Sequence, residues 1–133
     1  MTRLSTDPYA AAYPELFAFW QAAEEGRFLL RYCNECSCSH WYPRSVCPLC
    51  SSKDTVWRPA CGRATLFAFS QMPHDTDVSG ILAYVTLEEG PRMLTRVVDT
   101  DASSLRLGQS LLFARMVKLP EGRGVPVFTP LPS

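Results

Sequence analysis

Residues 33–50 read CNECSCSHWYPRSVCPLC: two Cys-x-x-Cys knuckles, Cys33–Cys36 and Cys47–Cys50, with ten residues between them. Two residues between thiolates let both sulfurs of a knuckle reach one ion, and two knuckles complete the tetrahedral four-sulfur shell that zinc prefers. Disulfides, iron and a redox dithiol are the competing readings. A thioredoxin-type dithiol needs a single Cys-x-x-Cys on a βαβ scaffold, and the flanking sequence offers none. The first residues, MTRLSTDPYAAAYPE, carry proline and acids where a secretory signal has an apolar run, so the expected compartment is the reducing cytoplasm, which favours metal over disulfides. The expectation is one structural zinc per chain on Cys33, Cys36, Cys47 and Cys50. A closed Cys₄ shell leaves no position for water or substrate, so the metal holds structure and does no chemistry. Cys38 or His40 could enter the shell, but the matched spacing favours the other four, and Cys38 and Cys61 are read as bystanders.

Outward from the knuckles, Arg27-Phe28-Leu29-Leu30-Arg31-Tyr32 reads as a strand that delivers the chain into the cluster. Before it, Pro14 opens a helix, Glu15 sits near the positive end of its dipole, and Gly26 closes it. Residues 1–12 show no consistent period and are read as an arm. The helix presents Phe17, Phe19 and Trp20 on more than one face, so some of them are expected in an interface with a partner.

Beyond Trp57 the pattern turns to short β-rich runs: 64–72, 80–88, 92–98, 110–118 and 125–128, each bounded by Gly, Pro, Asp or Ser. Glu89-Gly90-Pro91 makes a tight connection between the second and third of these. Residues 101–108 suggest one short helical turn between the third and fourth. Five strands with such an insertion fit a Greek-key OB barrel. The expected fold is therefore mainly β: an N-terminal arm and helix (1–26), a zinc ribbon (27–56) and a five-stranded OB-fold domain (57–133).

Thirteen basic residues balance thirteen acidic ones. With no net field, and only Lys53 and Lys118 as lysines, a backbone-tracking groove for single-stranded nucleic acid is disfavoured, although OB-folds and zinc ribbons both occur in that role. No apolar run approaches the roughly 20 residues that cross a bilayer. The other basic residues are arginines, the side chain best shaped to grip phosphate, and Arg44, Arg63, Arg92, Arg96, Arg106 and Arg115 are the candidates for an anion site. No Ser-His-Asp or Cys-His-Asn grouping surrounds His40 or His74, and His74-Asp75-Thr76-Asp77 after Pro73 reads as a solvated loop. Trp41, Tyr42 and Trp57 flank the ribbon and are expected to seal it onto the barrel, since so small a unit has almost no core of its own.

The order of these pieces, with Tyr42-Pro43-Arg44 before the second knuckle, CGRATLFAFS at 61–70, LEEGPRMLT at 87–95 and Val125-Pro126-Val127-Phe128 near the end, resembles a known family. These are OB-fold proteins with an N-terminal rubredoxin-like zinc ribbon, long catalogued as a domain of unknown function, that associate with acyl-CoA enzymes. The chain departs from the family pattern at Ser37, where a glycine usually follows the first knuckle, and at Cys61, where Ser or Ala is commoner. The resemblance implies a non-catalytic accessory subunit of a thiolase-like enzyme (thiolase, acyltransferase or steroid side-chain retro-aldolase) in a hetero-oligomer. It implies that the subunit helps to form the acyl-CoA channel; in that setting the arginines, Arg44, Arg63, Arg92 and Arg96 first, are expected as a patch to face the CoA phosphates.

Overall fold

The computed structural model describes residues 8–71, 81–118 and 123–131, without the side chains of Tyr9 and Ala10. Two helices come first: α1 (Pro8–Ala12) and, after a 3₁₀ turn at Pro14–Leu16, α2 (Phe17–Glu24). The part of the expected arm that is described is therefore helical, since Pro8 pre-sets the first turn and the alanines that follow cost little to order. The helix expected over 14–26 divides into a 3₁₀ entry and a two-turn α segment. It ends in a Schellman arrangement: the Arg27 N–H donates to the Ala22 carbonyl and the Gly26 N–H to that of Ala23, with Gly26 at φ +78°. That left-handed position is the reason for glycine there.

Among the described residues eight strands follow: β1 (Leu29–Cys33), β2 (Cys38–His40), β3 (Thr55–Pro59), β4 (Arg63–Gln71), β5 (Ile81–Leu87), β6 (Arg92–Arg96), β7 (Ser110–Lys118) and β8 (Gly124–Pro130). They form a three-stranded antiparallel sheet, β2-β1-β3, and a five-stranded sheet, β6-β5-β4-β7-β8. β3 runs across position 57 and pairs with β1 from Cys33↔Thr55 to Leu29↔Pro59. Two compact units divide the chain: the described residues through Ala60 with 116–118 and 123–125, and those of 61–115 with 126–131.

In the first unit, the buried side of α2 (Phe19, Trp20, Ala22 and Ala23) supplies the core that the ribbon lacks. The Phe19 ring lies 5.4 Å from that of Trp41 and 6.4 Å from those of Phe28 and Trp57. Trp41 and Trp57 thus pack on the helix of the same unit.

In the second unit, period-2 alternation buries Ile81, Ala83, Val85 and Leu87 on one face of β5, with Leu66, Met93, Leu111, Val127 and Phe128 beside them in the core. A parallel bridge between Val97 and Phe128, with the Thr95 hydroxyl donating to the Pro126 carbonyl at 2.7 Å, brings the outer strands together, so the sheet closes nearly into a barrel. This is the expected OB architecture, with the Glu89-Gly90-Pro91 turn and a 3₁₀ turn at Ala102–Ser104 in their expected places. The His74–Asp77 segment lies outside the described residues.

Gly124 faces the helix. A Cβ built there would sit 3.0 Å from the Ala23 Cβ, closer than side chains normally approach. Gly124→Leu is expected to destabilise the chain by about 1–3 kcal/mol through overpacking, seen as a lowered melting temperature, whereas Gly90→Ala meets no neighbour within 4 Å and changes only the turn at φ +117°.

Candidate metal centre

The ribbon sheet places the knuckles by register. Cys33 ends β1 opposite Cys38, so Cys36 lies in the turn between β1 and β2. The second knuckle reaches the first because the 45–55 segment is tied back to the sheet. Asn34 N–H donates to the Asp54 carbonyl, the Asn34 amide to Asp54 Oδ1 at 3.0 Å, and the Thr55 hydroxyl to the Ser45 carbonyl at 2.8 Å.

The Sγ atoms of Cys33, Cys36, Cys47 and Cys50 all lie within 4.8 Å of one another. Zn–S bonds of about 2.3 Å in a tetrahedron require S···S edges near 3.8 Å, and the Cys33–Cys50 and Cys36–Cys47 separations are 3.5 and 3.8 Å. The sulfurs therefore fit a tetrahedral ion. Cys33 and Cys47 are buried, Cys36 half-buried and Cys50 exposed, so one edge of the shell faces solvent.

Electrostatics favours a cation at the centre. Backbone N–H donation from Cys36, against the cost of burial, brings Cys33 down to about 7. Burial pushes Cys36 up, reinforced by the sulfurs of Cys33, Cys47 and Cys50. At Cys50 the downward pull of the Ser52 N–H is outweighed by burial and by Cys33 and Cys47, and the thiol is raised. A thiolate at one position suppresses ionisation at its neighbours, the behaviour of like charges crowded without a counter-ion. A divalent cation removes that conflict, and the four cysteines make a structural metal site of the zinc-ribbon type.

Cys38 is exposed and its thiol donates to the Cys36 carbonyl at 3.4 Å. His40 is buried, with Nε2 3.3 Å from both the amide nitrogen and the carbonyl oxygen of Arg44. Its pKa is lowered, first by burial and then by the charges of Arg31 and Arg44, against the pull of the Arg44 carbonyl. It braces the loop before the second knuckle. Cys61 lies in the second unit, its thiol 3.3 Å from Glu88 Oε2 and its N–H on Glu89. Partial desolvation and these carboxylates raise its pKa, the opposite of what a nucleophile needs.

The arginines separate. Arg44 lines a cavity of about 460 Å³ with Tyr13, Glu15, Tyr42 and Ser45. Arg63 is held by Glu88 at 2.9 Å, and Arg115 by Asp99 at 3.0 Å, both in exposed pairs. Arg92 and Arg96 share the outer face of β6, where Arg92 lies 3.7 Å above the Phe67 ring. Of the residues expected in a partner interface, Phe19 is 4% and Trp20 3% exposed, both packed in the chain's own core, and Phe17, at 38%, is at the surface. The phase of α2, too short to show a clear period, decides which aromatic turns inward.

A Cys₄ ribbon followed by a nearly closed five-stranded barrel defines the class: a zinc-ribbon and OB-fold protein. Two family models match in succession, the "ChsH2, rubredoxin-like zinc ribbon domain" over residues 20–56 and the "ChsH2, C-terminal OB-fold domain" over 57–112. The chain belongs to the ChsH2 family, with both of its domains in order. Among solved structures, one described as "Ltp2-ChsH2(DUF35) aldolase" superposes with a TM-score of 0.71 over 86% of this chain and 93% of that one, at 23% identity. A protein of unknown function from the DUF35 family of Sulfolobus solfataricus gives 0.63 over 92% of each chain, at 12% identity. At these identities the likeness establishes the fold. A "Probable enoyl-CoA hydratase alpha subunit" of Thermomonospora curvata is 28% identical over 118 residues; the match takes in 85% of this chain and 37% of the length of that relative.

Ser37 and Ser51, each just after a knuckle, stand at φ +58° and +66°. Left-handed backbone costs a non-glycine residue about 1–2 kcal/mol, and glycine returns part of that as chain entropy, so Ser37→Gly is expected to raise the melting temperature by an amount worth up to about 1 kcal/mol. Cys47→Ser removes a buried ligand and is expected to abolish metal retention and unfold the ribbon, read as lost metal by elemental analysis and as exposure of Trp41 by fluorescence. Unchanged melting would exclude a structural metal.

Proposed function

We propose that this chain is a non-catalytic accessory subunit of a thiolase-like acyl-CoA enzyme, such as a thiolase, an acyltransferase or a retro-aldolase of lipid or steroid side-chain degradation. It carries one structural zinc on Cys33, Cys36, Cys47 and Cys50 and works in the cytoplasm. The observation that carries the reading is the unbroken succession of ChsH2 ribbon and ChsH2 OB domain, joined to the likeness in fold to a chain described as part of an Ltp2-ChsH2 aldolase. The curated relative, named as an enoyl-CoA hydratase subunit, supports the same acyl-CoA setting. In this reading the partner is a larger subunit in a hetero-oligomer and supplies the nucleophile and base. His40, buried against its own loop, and Cys61, between two carboxylates, are poorly suited to either role. Nucleic acid and membrane are not partners. No described helix is long and apolar enough to cross a bilayer.

Within this reading the CoA phosphates fall to Arg44. Its guanidinium is in no ion pair among the described residues, and its cavity adds two phenols and the Ser45 hydroxyl, with Glu15 the one carboxylate on the lining. Arg63 is already engaged by Glu88.

Co-expression with thiolase-fold subunits encoded in the same genome, followed by size exclusion, tests the proposal. A stable complex containing one zinc per accessory chain is expected, with turnover of acyl-CoA by the complex and none by the isolated chain. In the complex, Arg44→Ala is expected to raise the apparent KM for acyl-CoA about tenfold, the loss of one charge-assisted contact of roughly 1.5 kcal/mol. Turnover by the purified chain alone would overturn the accessory assignment.

A further inference from the structure

The outer face of β4, β5 and β6 is unlike the rest of the second unit. Phe67, Tyr84 and Leu94 are 49%, 50% and 48% exposed on it, three large side chains clustered on adjacent strands. Tyr84 stands directly opposite Leu94 on β6 and Ala68 on β4. Between them runs an apolar groove of about 170 Å³, lined by Ala68, Phe69, Leu82, Tyr84 and Leu94. That is close to the roughly 150 Å³ that holds a benzene ring in a protein interior, room for one apolar side chain.

The charge on this face has one sign. The strands read RATLFAFSQ, ILAYVTL and RMLTR, with three arginines and no aspartate or glutamate. Arg63 is neutralised by Glu88 in the following turn, as Arg27 is by Glu25 and Arg115 by Asp99 elsewhere. Arg92 has no carboxylate among the described residues; its guanidinium carbon lies 3.7 Å from the centre of the Phe67 ring, two residues along β6 from Leu94, which lines the groove. An incoming surface must therefore bring an apolar side chain and a carboxylate together.

We propose that this face docks the partner subunit, through a segment that sets an apolar side chain in the Phe69–Leu94 groove and an acidic one on Arg92; this rests on the accessory-subunit reading above. A second copy of this chain is the wrong occupant, because the same face brings three arginines and no carboxylate, and so nothing to match Arg92. Nucleic acid suits the face less well: Arg63 is already neutralised by Glu88, and the groove beside the arginines is lined by Leu82 and Leu94, with no cation on its lining to meet a phosphate.

The test uses the full chain and the thiolase-fold subunit with which it co-purifies, with dissociation constants measured by calorimetry for wild type, Arg92→Glu, the double variant Tyr84→Ser with Leu94→Ser, and Arg27→Glu, a charge reversal outside this sheet, as a control. The melting temperature and zinc content of each confirm folding, and Arg92→Glu, a change at an exposed side chain, keeps the test open if the double variant fails to fold. Arg92→Glu and the double variant are each expected to weaken binding at least tenfold, the first most strongly at low salt, with Arg27→Glu unchanged. Undiminished binding by both variants overturns the docking face and leaves the accessory role standing. Absence of any wild-type complex overturns both. A wild-type dimer in sedimentation that the double variant dissolves, or binding to a dT oligonucleotide that it abolishes, assigns the face to another occupant and equally overturns the proposal.

Discussion

Four sulfurs held within 4.8 Å of one another can all carry charge only around a cation. That constraint organises the first unit. The ribbon strands are short, β2 having three residues, and without the ion the knuckles would be two loops held against a small sheet by a few hydrogen bonds. With it, residues 33–50 become one closed element whose ends are fixed in the β1–β2–β3 sheet. A four-sulfur shell around an ion is saturated and offers nothing to a substrate, so the metal's part in this unit is structural.

A metal fixes ends but fills no volume. The apolar filling comes from outside the ribbon, from α2, whose Phe19 meets Phe28, Trp41 and Trp57. The helix is therefore a structural part of the metal-bearing unit. Two of its three aromatics, Phe19 and Trp20, which as sequence suggested a sticky surface, are consumed in making that unit whole. What the chain offers to others lies on a different element, the outer surface of the barrel strands, where arginine and aromatic side chains share one face.

Much of this was legible in the residues. The knuckle spacing is a covalent constraint that reads directly, and the strands announce themselves by period-2 alternation between turn-forming residues; β5 alternates almost without fault. The harder parts are those where a local pattern is cut short or displaced. Thr55–Pro59 gave no turn signal to mark it as part of the ribbon, and its membership comes from pairing with β1, a contact between residues far apart in the chain. Phe67 sits at an irregularity in register between Leu66 and Ala68. In the string Leu66-Phe67-Ala68-Phe69 no alternation rule can say which ring turns outward, and the exposed face was hidden from the sequence for that reason. Whether an arginine is free also depends on which carboxylate folds beside it: Arg63 and Arg92 look alike as letters, and only one has a glutamate at 2.9 Å.

The close approach of Gly124 to Ala23 bears on the order in which the chain can assemble. The first unit is discontinuous, since it takes residues 123–125 from the far side of the barrel sequence. On a ribosome, α2 and the ribbon emerge early, and the backbone against which Ala23 rests is made only after nearly the whole barrel. Metal capture can come first and hold the knuckles, but the helix waits for the last strand with a small-residue surface uncovered. Because residues 123–125 are made after the ribbon and the barrel strands, the ribbon is a pre-organised intermediate until they arrive, and a cut anywhere in the barrel would leave that unit unfinished as well.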